Sequence, residues 1–220
     1  MSERFGRREL GGLAALAVGA FVTLPARAEA ERAVLLVPLG AVPVLETRVV
    51  EAALRAFYAV EVQVHDRTPL PRSAYYPQRG RYRAERLLNE LDRLGAGAFR
   101  VLGLASVDIS TTKGNIQDWG ILGLATIDGR VGVLSSFRCR RGAKGAEQIA
   151  HRLGKTAVHE LGHTFGLEHC PNVGCVMEDG KGSVFTTDRE YDLCEDCRAK
   201  LAGPNLLRTP RAEPPWPKPG

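Results

Sequence analysis

The sequence predicts one domain of the α/β (α+β) class, built around a mixed sheet. Over the first half of the chain, short apolar runs suited to buried strands alternate with segments of helical periodicity. Further along, the pair Asp128-Gly129 separates two apolar runs, and Asp-Gly in that position is a strong signal for a β-hairpin. Strand–helix–strand units followed by a hairpin give a sheet with both parallel and antiparallel strands.

The elements of this domain follow from the periodicity of each segment. Val60, Val62 and Val64 alternate as in a strand with one buried face, whereas apolar residues recur at four-residue steps from Ile149 to Leu161, as in a helix. The expected strands are Ala33–Val37, Val60–His65, Phe99–Val107, Gly120–Ile127 and Arg130–Phe137. The expected helices are Val44–Tyr58, Arg81–Leu94, Ala146–Leu167 and a short one from Cys194 to Leu201. The proline-rich residues 205–220 are expected to form a disordered tail after the domain of residues 29–204.

The long helix predicted from residue 146 contains an HExxH pattern that begins at His159 and ends at His163. Two histidines four positions apart project from one helix face and can supply half of a tetrahedral zinc site, although such a pair also occurs by chance. Gly166 allows a sharp exit from the helix, so that His169 can return as a third ligand. The fourth position then stays open, which is typical of catalytic zinc, and Glu160 would hold its carboxylate beside a zinc-activated water.

Four cysteines follow the histidines in two short-spaced pairs. Cys170 and Cys175 have the spacing C-x4-C, and Cys194 and Cys197 have the spacing C-x-x-C. Four thiolates in two such pairs can form a closed, structural zinc site. Because neighbouring side chains of an extended segment point to opposite sides, His169 can serve one zinc while the next residue serves the other. Two disulfides, or a redox-active C-x-x-C pair, are the alternatives for the cysteines.

With these residues the chain resembles the archaemetzincins, whose pattern is HExxHxxGxxH, then C-x4-C-x-M, then C-x-x-C. The resemblance implies a catalytic zinc on three histidines, a glutamate base, a methionine turn formed by Met177, and a second, structural zinc on the four cysteines. It also implies a metzincin-like zincin fold: a mixed twisted sheet, two long helices above an active-site cleft and a small zinc-stabilised C-terminal subdomain. The interval from Met177 to Cys194 is one residue shorter than is usual in the family, which concerns the shape of a loop.

The function implied by this resemblance is that of a zinc-dependent peptidase with Glu160 as general base. The family fold also implies an edge strand that pairs with extended substrate, for which Trp119–Leu124 is the candidate; an ordinary internal strand is the alternative. Aminopeptidase and narrow-specificity endopeptidase activity both stay open, with Glu168, Glu178 and Asp179 as candidates for binding a free amine. The alternative function is a zinc-stabilised binding module without turnover.

The first 28 residues have the pattern of a signal peptide. Arg7 and Arg8 precede an apolar run from Leu10 to Leu24, and an A-x-A motif ends at Ala28. The paired arginines indicate twin-arginine export, which predicts a periplasmic or extracellular protein. An uncleaved signal, and therefore a membrane-anchored protein, is the alternative.

Composition limits the partners of this protein. The net charge is +5 at pH 7, and no dense basic stretch is interleaved with aromatic residues, so the sequence does not indicate nucleic-acid binding. The expected partners are a peptide or protein substrate and two zinc ions, in a monomer that does not stay inserted in a membrane after signal cleavage. The fifth cysteine, Cys139, is expected to be a small buried residue, with a reactive thiol as the alternative.

Overall fold

A computed structural model describes residues 32–218, and the predicted signal segment, residues 1–28, lies outside the described residues. The strands are β1 (Ala33–Leu39), β2 (Glu61–Val64), β3 (Tyr75–Tyr76), β4 (Arg81–Arg83), β5 (Arg100–Ala105), β6 (Ile109–Lys113), β7 (Ile116–Ile121), β8 (Gly123–Ala125) and β9 (Val131–Ser135). The helices are α1 (Val44–Phe57), α2 (Ala84–Leu94), α3 (Ala146–Thr164), α4 (Val184–Arg189) and α5 (Glu195–Ala202).

The main sheet has five strands in the order β2-β1-β5-β9-β8. The first four are parallel, and β8 pairs antiparallel with β9, with Gly123 opposite Leu134 and Ala125 opposite Gly132. The prediction of a mixed sheet is therefore confirmed. The hairpin turns at Asp128-Gly129 as expected, although its paired arms are shorter than the apolar runs that predict them.

Helices cover both faces of this sheet. On one face α1 and α3 pack together against inward residues such as Leu36, Leu102 and Leu134. On the other face α2 packs against the alternate positions of the same strands, among them Val37 and Val133. Burial on both faces explains why these strands are continuous apolar runs in the sequence.

A second, four-stranded sheet in the order β3-β4-β6-β7 differs from the sequence-based expectation. Its strand β4 takes the first three residues of the helix predicted from Arg81, so that α2 begins at Ala84. The Arg81 guanidinium contacts Asp108 at 2.7 Å and Asp118 at 2.9 Å, and these ion pairs tie β4 to the segments before β6 and within β7. The partners are far apart in sequence, so local periodicity does not reveal them.

Two edge strands lie where a single one was predicted. The range Trp119–Leu124 covers the end of β7, an edge of the second sheet, and the start of β8, an edge of the main sheet. Ile109 and Ile121, which pair at one end of β6 and β7, belong to the same buried cluster as Val133 of the main sheet, so the two sheets share one interior. The expected edge strand is thus divided between two sheets.

The C-terminal segment packs against the domain, in contrast to the disordered tail expected from its prolines. Trp216 is only 5% exposed. Its ring stacks on Phe57 of α1 with centroids 5.4 Å apart, and its Nε1 donates to the Tyr191 carbonyl at 2.7 Å. Gly154 of α3 admits the ring, because a Cβ there would lie 2.9 Å from it. Proline removes backbone donors, but it does not prevent one large aromatic side chain from anchoring an extended segment.

We expect Trp216→Ala to lower the free energy of unfolding by about 3 kcal/mol, because the substitution leaves a cavity between α1 and α3. Denaturant unfolding of the metal-loaded protein measures this change. Phe185→Ala is the matched control, since Phe185 is 67% exposed and its removal empties no interior space. Equal stability of the wild type and Trp216→Ala would contradict the packing of the segment.

Candidate metal centre

Helix α3 presents His159 and His163 one turn apart, and their Nε2 atoms lie 3.0 Å from each other. The helix ends at Thr164, three residues before the predicted end. Gly166 then adopts φ +90°, in the left-handed region that favours glycine, and turns the chain back. This turn brings in His169, and one ring nitrogen from each of the three histidines lies within 4.8 Å of the others. The structure therefore brings together the three histidines that the spacing singles out.

Backbone carbonyls orient the two helical histidines. The Nδ1 atom of His159 donates to the Val176 carbonyl at 2.7 Å, and the Nδ1 atom of His163 donates to the Leu167 carbonyl at 2.6 Å. With the proton on Nδ1, each Nε2 turns a lone pair toward the other histidines. Burial lowers the pKa of both imidazoles, that of His159 to about 3, so both are neutral near pH 7.

This donor set fits zinc. Zinc bonds neutral imidazole nitrogen at about 2.0–2.1 Å, so two ligands of a tetrahedral site are separated by about 3.3 Å. The two Nε2 atoms lie 3.0 Å apart, which is close to that value. At this distance the lone pairs of two acceptors repel each other unless a cation lies between them. Carbonyl partners on the far ring nitrogen are the usual support of metal-binding histidines.

Glu160 lies beside the histidines and is 4% exposed. Desolvation raises the pKa of its carboxyl to about 8, and its Oε2 has no hydrogen-bond partner among residues 32–218. Strand β8 passes directly over it: a Cβ added to Gly123 would lie 2.3 Å from Oε1. A glycine at this position is what allows the carboxylate and the edge strand to approach so closely.

Met177, which the resemblance proposes as the methionine of the turn, is fully buried against α3. A Cβ at Gly162 would lie 2.7 Å from its Sδ, so the glycine between the two helical histidines makes room for the thioether. The Met177 carbonyl accepts the Cys170 backbone N–H at 2.7 Å. The turn is thus fixed to the segment that follows His169.

The four cysteines of the two pairs meet in one cluster, with all four Sγ atoms within 4.8 Å of one another. Two sulfur pairs, Cys170 with Cys194 and Cys175 with Cys197, are 3.6 and 3.8 Å apart. Sulfur ligands of a tetrahedral zinc site lie about 3.8 Å apart, given Zn–S bonds of about 2.3 Å, whereas a disulfide joins its sulfurs at about 2.05 Å. The donor set and its spacing therefore fit zinc.

Hydrogen-bond donors surround these sulfurs. Asn172 donates from its side-chain nitrogen to Cys194 at 3.3 Å, and the Cys194 backbone N–H points at Cys175 at 3.4 Å. Although burial opposes ionisation, the hydrogen bond from Asn172 helps to hold the pKa of the Cys194 thiol below its usual value. Cys139 lies apart from the cluster and is fully buried, and desolvation raises the pKa of its thiol to about 12.

A cavity of about 350 Å³ opens onto the histidines and Glu160. Strands β6, β7 and β8 form one wall, and the segment after Met177 forms the other. Of the three acidic residues proposed to bind an amine, Glu178 and Asp179 line this cavity and Glu168 does not. The Glu178 carboxylate is already bonded to the Arg189 guanidinium and to the Gly174 backbone N–H.

The sequence-based analysis missed several residues of the site. Gly123 is one of many glycines, and nothing in its neighbourhood marks it. Thr156 lies one turn before Glu160 on the same helix face, so its position was available from helical spacing. Glu190 directly follows α4, a helix that is not predicted from the sequence, and no local signal identifies it.

A mixed α/β fold that carries an HExxH helix, with a third histidine returned beside it, defines the class of zinc-dependent peptidases. The family model described as Peptidase family M54 matches residues 45–203. The chain belongs to this family, the archaemetzincins.

Relatives and solved structures agree with this assignment. The chain is 34% identical to the archaemetzincin of Haloquadratum walsbyi over 76% of this chain and 97% of that protein, and 34% identical to that of Thermococcus kodakarensis over 77% and 95%. The crystal structure of archaemetzincin from Methanopyrus kandleri superposes with a TM-score of 0.67, at 32% identity over 82% of this chain and 98% of that one. The malonate complex of archaemetzincin from Archaeoglobus fulgidus gives 0.66, at 30% identity over 76% and 99%.

These comparisons contradict the prediction of an exported or membrane-anchored protein. The relatives are archaeal proteins that align over 95–97% of their own length, so they consist almost entirely of the peptidase domain. Within the range 32–218, no helix is both long enough and apolar enough to cross a membrane. It is the relatives that contradict the predicted periplasmic or extracellular location, and the segment that led to this prediction lies outside the described residues.

We expect Gly123→Ala to reduce peptide cleavage about 10- to 100-fold, because the added methyl group displaces the Glu160 carboxylate. The cleavage rate of an unbiased peptide mixture measures this, together with zinc content and melting temperature, which should stay near wild-type values. Gly203→Ala is the control, since a Cβ there meets nothing within 4 Å. Undiminished cleavage by Gly123→Ala would show that peptide cleavage does not depend on the close approach of β8 to the Glu160 carboxylate.

Proposed function

We propose that His159, His163 and His169 hold the zinc of this peptidase and that Glu160 is its general base. One observation supports this most directly. Three histidines with ring nitrogens within 4.8 Å of one another lie beside a buried carboxylate that faces the same cavity. A binding module without turnover would not need that carboxylate.

The chemistry divides between the metal and the chain. Zinc at the three histidines would supply Lewis acidity, which acidifies water and polarises a carbonyl group. Glu160 would take the proton of the attacking water and deliver it to the leaving amine, a contribution of about 10²–10⁴-fold. The Val176 and Leu167 carbonyls keep the helical imidazoles in one tautomer and orientation throughout. The burial of Glu160 keeps bulk water away from the transferred proton.

Strand β8 is suited to hold the substrate. It is an edge strand of the main sheet and also lines the cavity above Glu160. An extended peptide can add to such an edge through main-chain hydrogen bonds, which would place a peptide bond beside the histidines. The proposed substrate is accordingly an extended peptide or an unfolded segment of a protein, bound by a monomer.

The cysteine cluster is proposed to hold a second, structural zinc, so that one chain binds two. It joins the segment after His169 to α5, because Cys170 follows that histidine directly and Cys197 lies on the helix. A metal there would hold Cys170 in place and would thereby fix the position of His169, the residue before it. Structural zinc contributes folding free energy on the order of 10 kcal/mol.

We expect Glu160→Gln to lower peptide cleavage by about 10²–10⁴-fold while zinc content stays unchanged. The side chains have nearly the same shape, so only the ability to take a proton is lost. Cleavage of a peptide mixture and elemental analysis measure the two quantities. Glu147→Gln on the same helix is the control, because that side chain is 85% exposed and outside the cavity. Retained cleavage by Glu160→Gln would remove this residue from the role of base.

We expect elemental analysis to find two zinc ions per wild-type chain and one in Cys194→Ser or His163→Ala, since each variant removes a ligand of one site only. Cys139→Ser is the matched control and should keep two, because its sulfur lies outside the cluster. A single zinc in both the wild type and Cys194→Ser would mean that the cysteines form disulfides. In that case the proposal of a structural zinc fails.

A further inference from the structure

Glu190 lies in the wall of the same cavity, in the segment after Met177, and none of the functions proposed above uses it. We propose that its carboxylate binds the cationic side chain of a substrate lysine or arginine next to the cleaved bond, which makes Glu190 a specificity-determining residue. This inference rests on the proposed peptidase function of the site. Both a lysine or arginine side chain and a free α-amine carry a cationic nitrogen group. The geometry favours the side chain.

Glu190 is a buried residue that opens onto the cavity. The residue is 3% exposed and lines the cavity together with Thr156 of α3 and Thr187 of α4. Over residues 32–218, neither a hydrogen-bond donor nor a cation within 4.0 Å serves this carboxylate. The Thr156 hydroxyl is directed elsewhere and donates to the Arg152 carbonyl at 2.8 Å.

Each of the three cationic side chains near Glu190 forms hydrogen bonds with another group. Arg152 forms two hydrogen bonds of 2.7 Å with the Asp188 carboxylate, and Arg189 is bonded to Glu178. Lys155 donates to the Thr187 carbonyl at 3.0 Å, and its positive charge also acts on Glu190.

An unpaired buried carboxylate is costly, because desolvation disfavours its charged form. This cost is visible here: burial raises the pKa of Glu190 to about 8 even though Lys155 acts in the opposite direction. The open side of the carboxylate is the cavity. A ligand that brings a cationic donor into the cavity would supply the missing partner.

Glu190 and the reacting groups line the same cavity as Thr156. Thr156 lies four residues before Glu160 on α3, which is about 6 Å along the helix axis. The facing wall is apolar at Ile121 and Leu122, and such a wall accommodates the methylene stem of lysine or arginine. A peptide laid along β8 can therefore keep its backbone near Glu160 and extend one side chain to Glu190.

Of the remaining charged side chains of the cavity, Glu178 is buried and already bonded to Arg189, whereas the two lysines lie toward solvent. Lys113 and Lys181 are exposed, and Lys113 lies 5.5 Å from the centre of the Trp119 ring. Asp179 accepts a backbone hydrogen bond from Lys181 at 2.8 Å. Because water screens these groups, they affect a buried cationic ligand less than Glu190 does.

A binding experiment tests the proposal apart from turnover. The probes are mixtures of acetylated, amidated hexapeptides in which one central position is fixed as lysine, arginine or norleucine. Their dissociation constants are measured on zinc-loaded Glu160→Ala protein, which leaves the peptides intact. We expect the lysine or arginine mixture to bind about tenfold more tightly than the norleucine mixture, as for a hydrogen bond between charged partners. Glu190→Gln in the same background should reduce this ratio to near one, whereas Glu147→Gln should leave it unchanged.

Two results would overturn the proposal. One is an equal affinity for the lysine, arginine and norleucine mixtures, which requires no Glu190 variant and is therefore independent of any folding defect. The other concerns a norleucine mixture with a free N-terminus. If this mixture binds as tightly as the lysine mixture, and if Glu190→Gln removes its advantage over the acetylated norleucine mixture, the carboxylate binds an α-amine instead. Failure of the wild type to cleave any mixture would instead contradict the peptidase function, since the binding ratio does not depend on cleavage.

Discussion

Two hydrogen bonds, from the Nδ1 atoms of His159 and His163 to backbone carbonyls, determine how the lower half of the molecule is arranged. Their acceptors belong to Leu167 and Val176, so the chain that leaves α3 must fold back beneath the helix to reach them. Once it does so, Met177 fills the space left by Gly162. Without these bonds the rings could rotate, and neither the tautomer nor the direction of the lone pairs would be defined.

The parts of this fold that the sequence predicts are those with local causes. The bounds of α1 are nearly as predicted because apolar periodicity marks them, and the histidines meet because helical spacing and one glycine turn are enough to bring them together. The second sheet, the anchoring of Trp216 and the position of Glu190 depend on contacts between segments far apart in the chain. Such contacts leave no periodic signal. Proline content likewise misrepresents the C-terminal segment, because composition does not register a single buried aromatic ring.

The cavity combines two kinds of surface that the fold keeps apart. Its outer wall is an edge strand, whose main-chain groups would, as proposed, pair with an extended peptide regardless of its sequence. Its inner wall comes from α3 and α4, where side chains are fixed by helix packing and can distinguish one residue from another. Affinity and selectivity are thus assigned to separate elements. Loops between the strands can therefore vary in length while the inner wall stays unchanged.

The packing of Trp216 on Phe57 also has a consequence for how the chain folds. This contact joins two residues that are far apart in the sequence. The hydrogen bond from the Arg208 backbone N–H to the Phe57 carbonyl does the same. Contacts with such large sequence separation raise the contact order and slow folding, because a long loop must close before they form. During synthesis, the groove between α1 and α3 stays uncovered until Trp216 has left the ribosome. From the completion of α3 until then, the nascent domain exposes the Phe57 ring to chaperones.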